Sequence, residues 1–295
     1  MTITRSFTYV KPGSLAEALA ILAEHGSSAA VLAGGTDLVS WLRDDLVAPE
    51  VVVDLKAIPG LGGIALIDGT VRLGALATFS DVLRSPVVAA VFPVLAEMAG
   101  VVASVGIRNR ATVVGNLCSA VPSNDAGPVL LAAGASLQVA GLQGERTIPL
   151  AQWFLGPRRT ALGDGEVVTG IAIPVPGPHG ACFLKLGRYR GEDLAQASVA
   201  VLALPGDHYR ITFGAVAPTT VRSGAVEESL EGRSLDEATL AAAADLVPAA
   251  ISPITDIRAS AEYRTHMCRV MLVRALRAAA GRLAGEGPAY GERLL

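Results

Sequence analysis

Short apolar runs alternate with amphipathic stretches over the first 56 residues of the chain. The pattern predicts, in order, strand 7–10, helix 14–26, strand 29–32, helix 37–45 and strand 51–55. Ser14 and Glu17 have the spacing of a capping box, with the serine at the N-cap and the glutamate at N3. Alternating strands and helices are typical of a parallel sheet, so we expect a small parallel layer that ends near Lys56.

After residue 57 the pattern indicates antiparallel structure. It predicts paired strands 64–67 and 71–76, helices 78–83, 87–98 and 125–133, paired strands 136–142 and 146–150, and strand 166–173. Asp68-Gly69 is a strong signal for a two-residue hairpin turn. Pro93 lies inside the second helix and is expected to break or kink it.

Residues 174–178 are rich in proline and are typical of a linker. Beyond it the pattern predicts strands 181–189, 195–204 and 208–217, followed by helices 235–246 and 259–283. We therefore predict an α+β protein. Its first domain covers residues 1–176, with subdomains of about 1–56 and 57–176, and is followed by a smaller domain over 177–285 and a tail over 286–295.

The composition excludes several classes of protein. Of the 295 residues 51% are hydrophobic, yet no uninterrupted apolar run approaches the ~18 residues of a membrane span. Residues 1–7 lack the apolar core of a signal peptide, so we expect a cytoplasmic protein. The net charge is −3 with both signs interspersed, and without a basic stripe nucleic acid is not expected as a partner.

The cysteines and histidines predict no metal site and no catalytic residue on this chain. Cys118, Cys182 and Cys268 are far apart and form no C-x-x-C pair, which argues against zinc or an iron–sulfur cluster held here. The four histidines lie outside the glycine-bearing segments described next, so we expect surface or structural roles for them.

Two glycine-bearing turns carry the strongest chemical signal. The first glycine loop is residues 32–38, with the sequence LAGGTDL, and the second is residues 112–117, with the sequence TVVGNL. Glycine lets backbone N–H groups come close to an anion, and a following helix N-terminus adds partial positive charge. Two such loops suggest a ligand whose pyrophosphate both can hold, although Gly34-Gly35 taken alone also fits an ordinary strand–helix turn.

Four segments in sequence resemble motifs of one protein family. Residues 32–38 resemble the A-G-G-T-D-L signature of the FAD-binding subunits of molybdenum hydroxylases, which include the medium chains of carbon monoxide and xanthine dehydrogenases. Residues 107–117 are similar to the family's I-R-N-x-x-T-x-G-G-N-L, and residues 122–128 to its continuation P-x-x-D-x-x-P. Residues 166–174 resemble E-x-L-x-x-I-x-I-P, and residues 185–195 resemble K-x-x-R-x-x-x-D-x-A.

The resemblance implies a fold, a function and partners. The fold is a two-subdomain FAD-binding fold of the vanillyl-alcohol-oxidase type, followed by a three-stranded antiparallel sheet with a helical bundle. The function is electron transfer: noncovalently bound FAD accepts electrons from 2Fe-2S clusters in a small partner chain and passes them to an external acceptor. The organic substrate would react at a molybdenum cofactor in a large partner chain, within a heterotrimer or its dimer.

The resemblance also implies which residues bind the FAD. The backbone of residues 33–37 would hold the pyrophosphate, and Thr112, Gly115 and Asn116 would contact the flavin and its phosphates from the other side. Asp125 would bind a ribose hydroxyl, and Val168 would line the adenine or ribose end. Lys185 would approach the flavin or the dinucleotide charge. The complete set is Leu32, Ala33, Gly34, Gly35, Thr36, Asp37, Leu38, Thr112, Gly115, Asn116, Asp125, Val168 and Lys185.

Some positions have alternative interpretations or depart from the family pattern. Asp125 precedes an apolar helix and could be its N-cap, and Lys185 could be a solvated strand residue. Val114 stands where the family usually has glycine, and Met98 and Leu194 stand where some members have an aromatic residue. We therefore assign no flavin-stacking role to Met98 or Leu194.

Two other functions are compatible with flavin-type loops. A stand-alone FAD-dependent oxidase of the vanillyl-alcohol-oxidase type would oxidise its substrate directly, and it would need a base over the flavin or a His or Cys tether. The sequence offers no clear candidate for either. A nucleotide-binding scaffold without redox function is the third hypothesis, and it would carry no yellow cofactor.

Overall fold

The computed structural model describes residues 3–189 and 193–295. Residues 1–2 lie outside the described residues, and so do residues 190–192, which belong to the motif over residues 185–195. The first subdomain consists of β1 (Thr8–Val10), α1 (Leu15–His25), β2 (Ala29–Leu32), α2 (Leu38–Arg43) and β3 (Val51–Asp54). Its strands form a parallel sheet in the order β1-β3-β2, which is the small parallel layer that the sequence predicts.

Local sequence explains how α1 begins. The Ser14 hydroxyl accepts a hydrogen bond from the N–H of Glu17, at 3.2 Å. The Glu17 carboxylate accepts from the N–H of Gly13, at 2.9 Å, so the reciprocal half of the capping box reaches one residue further back than expected. Leu19 and Leu22 on the buried face of the helix then pack into the core.

The second subdomain is a five-stranded antiparallel sheet with six short helices. Its strands are β4 (Ile64–Ile67), β5 (Thr70–Gly74), β6 (Ser136–Gly141), β7 (Gly144–Pro149) and β10 (Val167–Pro174), in the order β4-β5-β10-β6-β7. The helices are α3 (Phe79–Arg84), α4 (Pro86–Val91), α5 (Val94–Gly100), α6 (Val105–Arg108), α7 (Val113–Ser119) and α8 (Ala126–Ala132). A small separate hairpin is formed by β8 (Phe154–Gly156) and β9 (Arg159–Thr160).

Turn chemistry predicts this subdomain better than helix periodicity does. Asp68 and Gly69 both have positive φ, 48° and 69°, as a two-residue type I′ hairpin turn requires. Pro93 separates α4 from α5, as expected. The sequence pattern did not predict α6, which is too short to show a helical period. It also missed α7, because the sequence of residues 112–117 is interpreted as a glycine-bearing turn, whereas Val113–Ser119 is helical.

The C-terminal part is a four-stranded antiparallel sheet covered by helices. The strands are β11 (Gly180–Leu186), β12 (Ala197–Leu204), β13 (His208–Gly214) and β14 (Val221–Arg222), in that order. The helices are α9 (Gly224–Leu230), α10 (Glu237–Ala250) and α11 (Ala261–Ala284). The predicted three-stranded sheet is therefore present, and the two-residue strand β14 extends it.

Both faces of this sheet are buried. Ala200 and Leu202 of β12 belong to the core shared with the first two subdomains, whereas Val199 and Val201 belong to the core shared with α10 and α11. Successive side chains of a strand point to opposite faces. The nearly continuous apolar run of β12 is thus explained, because the strand lies between two cores.

Candidate functional site

A cavity of about 950 Å³ lies where the first glycine loop, the second glycine loop, β10 and the C-terminal part meet. We call it the main cavity. Every residue of the predicted cofactor site lines it except Leu32 and Lys185. Those that do are Ala33, Gly34, Gly35, Thr36, Asp37, Leu38, Thr112, Gly115, Asn116, Asp125 and Val168. The fold therefore brings together residues from segments that are far apart in the sequence.

The first glycine loop presents unused backbone donors. The N–H groups of Gly34, Gly35, Thr36 and Asp37 donate no hydrogen bond to any of the described residues. Backbone donors almost always have a partner, and successive free N–H groups in a turn form a concave binding site for an anion. Since the same residues line the main cavity, the loop is suited to hold a phosphate group there.

The two glycines of this loop are required for different reasons. A Cβ on Gly34 would lie 2.1 Å from the carbonyl oxygen of Arg110, so only glycine allows the first loop to touch the backbone just before the second loop. Gly35 has a φ of +80°, and a Cβ there would lie 2.9 Å from Cδ1 of Leu32. The expectation that both glycines clear the way for an anion is therefore too simple, because Gly34 makes room for the backbone of Arg110 and Ala111.

The second glycine loop uses most of its polar groups to build the fold. The Thr112 hydroxyl caps α7 by accepting from the N–H of Gly115, at 2.9 Å. The Asn116 side-chain oxygen accepts from the N–H of Ala126, at 3.1 Å, and so satisfies the start of α8. Val114, which replaces the family's glycine, is buried in the cavity wall. These residues shape the cavity and hold α7 against α8.

Asp125 lines the cavity and is incompletely satisfied by the described residues, as is Arg258, whose buried Nε has no partner among them. Its Oδ2 accepts from Lys185 Nζ at 2.7 Å, whereas its buried Oδ1 has no partner among the described residues. Asp125 occupies the N-cap position of α8, but its side chain makes no capping hydrogen bond to the helix. Burial raises the pKa of Asp125 to about 6, although the charge and hydrogen bond of Lys185 act in the opposite direction.

Lys185 lies behind Asp125 and outside the cavity wall. Its Nζ donates to Asp125 and, at 3.0 Å, to the carbonyl oxygen of Val101. The side chain is 6% exposed, so the alternative of a solvated strand residue is wrong. Leu32 also lies outside the wall and packs against Gly35.

Asp37 is exposed at the edge of the main cavity and stands near two polar groups. Loss of hydration beside the cavity wall raises the pKa of the Asp37 carboxyl group. A hydrogen bond from the Ser119 hydroxyl and the charge of Arg158 lower that pKa in part. The Arg158 guanidinium lies 5.3 Å from the centre of the Trp41 ring. Trp41 also lines the cavity, although none of the motifs in the sequence includes this residue.

The C-terminal part supplies a wall that the sequence pattern did not predict. Arg188, Asp193, Leu194 and Arg258 line the main cavity. Arg188 and Asp193 occupy defined positions of the motif in residues 185–195, so the sequence could have indicated these two residues as part of the site. Arg258 lies between α10 and α11, and no local pattern connects it with the glycine loops.

The side chains that line the cavity offer little nucleophilic or metal-binding chemistry. Cys118 is half-buried in the wall, and burial raises the pKa of its thiol to about 12, so the thiol is protonated at neutral pH. None of the histidines lines the cavity. Across residues 3–189 and 193–295 the structure contains no group of three or more His, Cys, Asp or Glu residues arranged to hold a metal ion. Within the same ranges, every helix is too short or too polar to cross a membrane.

The residues of the main cavity fit a dinucleotide. The free N–H groups of residues 34–37 suit a phosphate, and Asp125 Oδ1 suits a ribose hydroxyl that donates to it. The volume of about 950 Å³ is at the upper end of the range for small-molecule sites. Because one large cavity contains groups that suit a phosphate and a group that suits a hydroxyl, the ligand should carry both phosphate and hydroxyl groups.

Comparison with known proteins matches nearly the whole chain. Residues 5–176 match the model of the FAD binding domain in molybdopterin dehydrogenase, and residues 182–279 match that of the CO dehydrogenase flavoprotein C-terminal domain. The carbon monoxide dehydrogenase medium chain of Hydrogenophaga pseudoflava is 36% identical over 282 residues, covering 94% of this chain and 98% of the relative. Subunit alpha of the 6-hydroxypseudooxynicotine dehydrogenase complex of Paenarthrobacter nicotinovorans is 32% identical, covering 92% and 93%.

Solved structures show the same architecture. A chain of carbon monoxide dehydrogenase from Hydrogenophaga pseudoflava superposes with a TM-score of 0.92 at 37% identity, covering 96% of this chain and 99% of that one. A chain of quinoline 2-oxidoreductase from Pseudomonas putida 86 superposes with a TM-score of 0.90 at 29% identity, covering 97% and 99%.

Proposed function

Since the chain belongs to the family of FAD-binding subunits of molybdenum hydroxylases, we propose that it is the electron-transfer flavoprotein subunit of a multi-subunit dehydrogenase. Its FAD would accept electrons from iron–sulfur clusters of a small partner chain and pass them to an external acceptor. A large partner chain would hold the molybdenum cofactor, in a heterotrimer or its dimer. The location would be cytoplasmic, and the domains would be residues 1–176 and 177–285 with a tail over 286–295.

The observation that carries this proposal is that the main cavity is lined by backbone N–H groups and a carboxylate oxygen without partners among the described residues. The N–H groups of residues 34–37 would bind the FAD pyrophosphate, and Asp125 Oδ1 would accept from a ribose hydroxyl. Thr112, Gly115 and Asn116 would support the cavity from the second glycine loop, and Val168 would line it from β10. Lys185 would act on the cofactor through Asp125.

Bound FAD would supply the redox chemistry, and the chain would supply its position and surroundings. The mostly apolar wall would limit the access of water to the cofactor. The ion pair of Asp125 and Lys185 would lie beside the cofactor and would add almost no net charge there. Direct oxidation of an organic substrate by this chain is the weaker alternative. No histidine lines the cavity for a base or a covalent tether, and the Cys118 thiol is protonated at neutral pH.

Two measurements on the purified chain test the proposal. Cofactor released by acid should be identified by chromatography as FAD, because the site has groups for a pyrophosphate and for a ribose hydroxyl, and FMN contains neither a pyrophosphate nor a ribose. The chain alone should not oxidise an organic substrate, whereas the same chain expressed with its genomic neighbours should support substrate-dependent dye reduction. Recovery of FMN or of no flavin from a folded chain would contradict the cofactor assignment. Turnover by the single chain at the rate of the complex would favour the stand-alone oxidase.

A further inference from the structure

Three polar residues lie behind the first glycine loop and outside the main cavity. Asp54, at the end of β3, is 1% exposed. Its Oδ1 lies 2.8 Å from Lys56 Nζ, and its Oδ2 accepts from the Tyr9 hydroxyl at 2.5 Å. Burial alone would raise the pKa of Asp54, but hydrogen bonds from Lys56 and Tyr9 hold it below its usual value. The carboxylate therefore stays charged and fixes the lysine.

Lys56 connects this buried carboxylate to the glycine loop. Its Nζ donates to the carbonyl oxygen of Ala33, at 3.2 Å. Strands β2 and β3 are paired in register up to Leu32 and Asp54, so the lysine side chain has only a short distance to cover. Neither Tyr9, Asp54 nor Lys56 lines the main cavity, so all three would act through the backbone of the loop.

The contact with Ala33 determines which way the next N–H group points. In a trans peptide the C=O of one residue and the N–H of the following residue point in opposite directions. An ammonium group on the Ala33 oxygen therefore directs the Gly34 N–H away from Lys56, and this N–H has no partner among the described residues. Hydrogen bonds in series polarise one another, so the same contact makes the Gly34 N–H a stronger donor.

We propose that Lys56, held by Asp54 and Tyr9, is a positioning residue that orients and polarises the Ala33–Gly34 peptide for a diphosphate ligand. The inference rests on the proposed function, because it takes the ligand of this loop to be the FAD pyrophosphate. It adds a specific consequence. Lys56 should increase the affinity for a flavin that carries a diphosphate and should not affect the affinity for a flavin without phosphate.

The test compares FAD with riboflavin on the full chain after removal of its cofactor. Lys56→Met should weaken FAD binding about tenfold, the range expected for one charge-assisted hydrogen bond, and should leave riboflavin binding unchanged. Lys56→Arg should restore most of the FAD affinity. Lys11→Met is the matched control, because it removes the same charge from an exposed lysine just after β1 and should change neither affinity.

A second readout is the ³¹P NMR spectrum of bound FAD, in which Lys56→Met should shift the diphosphate signals and Lys11→Met should not. If Lys56→Met does not fold, Tyr9→Phe serves instead, since it removes only the hydroxyl that contacts Asp54, and it should lower FAD affinity two- to threefold with riboflavin unaffected. Unchanged FAD affinity in the folded variant, or an equal loss for riboflavin, would overturn the inference. Failure of the wild-type chain to bind FAD would overturn the proposed function itself.

Discussion

Two buried carboxylates connect the first domain to the C-terminal part, and they are satisfied to different degrees. Glu97, on α5, receives four hydrogen bonds: Oε1 accepts from Phe183 N and Arg282 Nη1, and Oε2 accepts from Arg282 Nη2 and Gly291 N. Asp125 receives one side-chain hydrogen bond, from Lys185, and its Oδ1 has none from the described residues.

The surroundings of the two ion pairs differ in the same way. Arg282 also donates to the carbonyl oxygens of Ala181, Pro288 and Ala289, and its guanidinium stacks 4.0 Å from the centre of the Tyr290 ring. A buried charge is tolerated when its hydrogen-bonding capacity is filled. The Glu97 cluster (Glu97, Arg282 and Tyr290) is therefore a structural contact between the two parts, whereas Asp125 retains an acceptor for a ligand.

Arg282→Met should have the largest effect, and the effect should be on stability. Removing one partner of a buried ion pair leaves an uncompensated charge, which typically costs about 3–5 kcal/mol. Arg277→Met is the matched control on the same helix, because Arg277 pairs with Glu237 at an exposed site and such pairs contribute about 0–1 kcal/mol. The free energy of unfolding in urea measures both. If the two variants lose equal free energy of unfolding, the Glu97 cluster stabilises the fold no more than a surface ion pair does.

A smaller effect is expected at Asp125, and it should appear in ligand affinity. Asp125→Ala combined with Lys185→Met removes both buried charges, so the double variant should unfold with a free energy closer to wild type than either single variant does. Its FAD affinity should still be lower by about 1–3 kcal/mol, because the proposed acceptor for the ribose hydroxyl is gone. Titration of the apoprotein with FAD measures this loss. If the double variant binds FAD with wild-type affinity, Asp125 does not contribute to FAD binding.

A third effect is a pH dependence that the double variant should lack. Because the pKa of Asp125 is raised from 3.8 to about 6 in the folded chain, the folded state binds more protons than the unfolded state between these values. The contribution of Asp125 to apoprotein stability should therefore fall as the pH rises from 4 to 6, while FAD affinity should rise as the carboxylate forms. Subtracting the unfolding free energies of the double variant at each pH isolates the group. A difference that does not vary with pH would show that the pKa is not raised.

Local sequence was sufficient for most secondary structure and for part of the site. Periodicity and turn residues predicted the parallel layer, the Asp68-Gly69 hairpin and the break at Pro93, because these depend on neighbours within a few residues. The glycine loops could be located in the same way. Helices as short as α6 could not, because four residues do not complete a recognisable period.

The tertiary structure decided which buried groups meet, and therefore which remain free. Lys185 reaches Asp125 across 60 residues of sequence, and Arg282 reaches Glu97 across 185. Gly34 is required by the backbone of Arg110, a contact invisible in the turn sequence. A hydrogen bond is formed or left open by the packing of distant elements, whereas helix and turn preferences belong to the local chain. The sequence thus located the loops of the site, and the packing determined that Asp125 keeps an oxygen beside them that no described residue contacts.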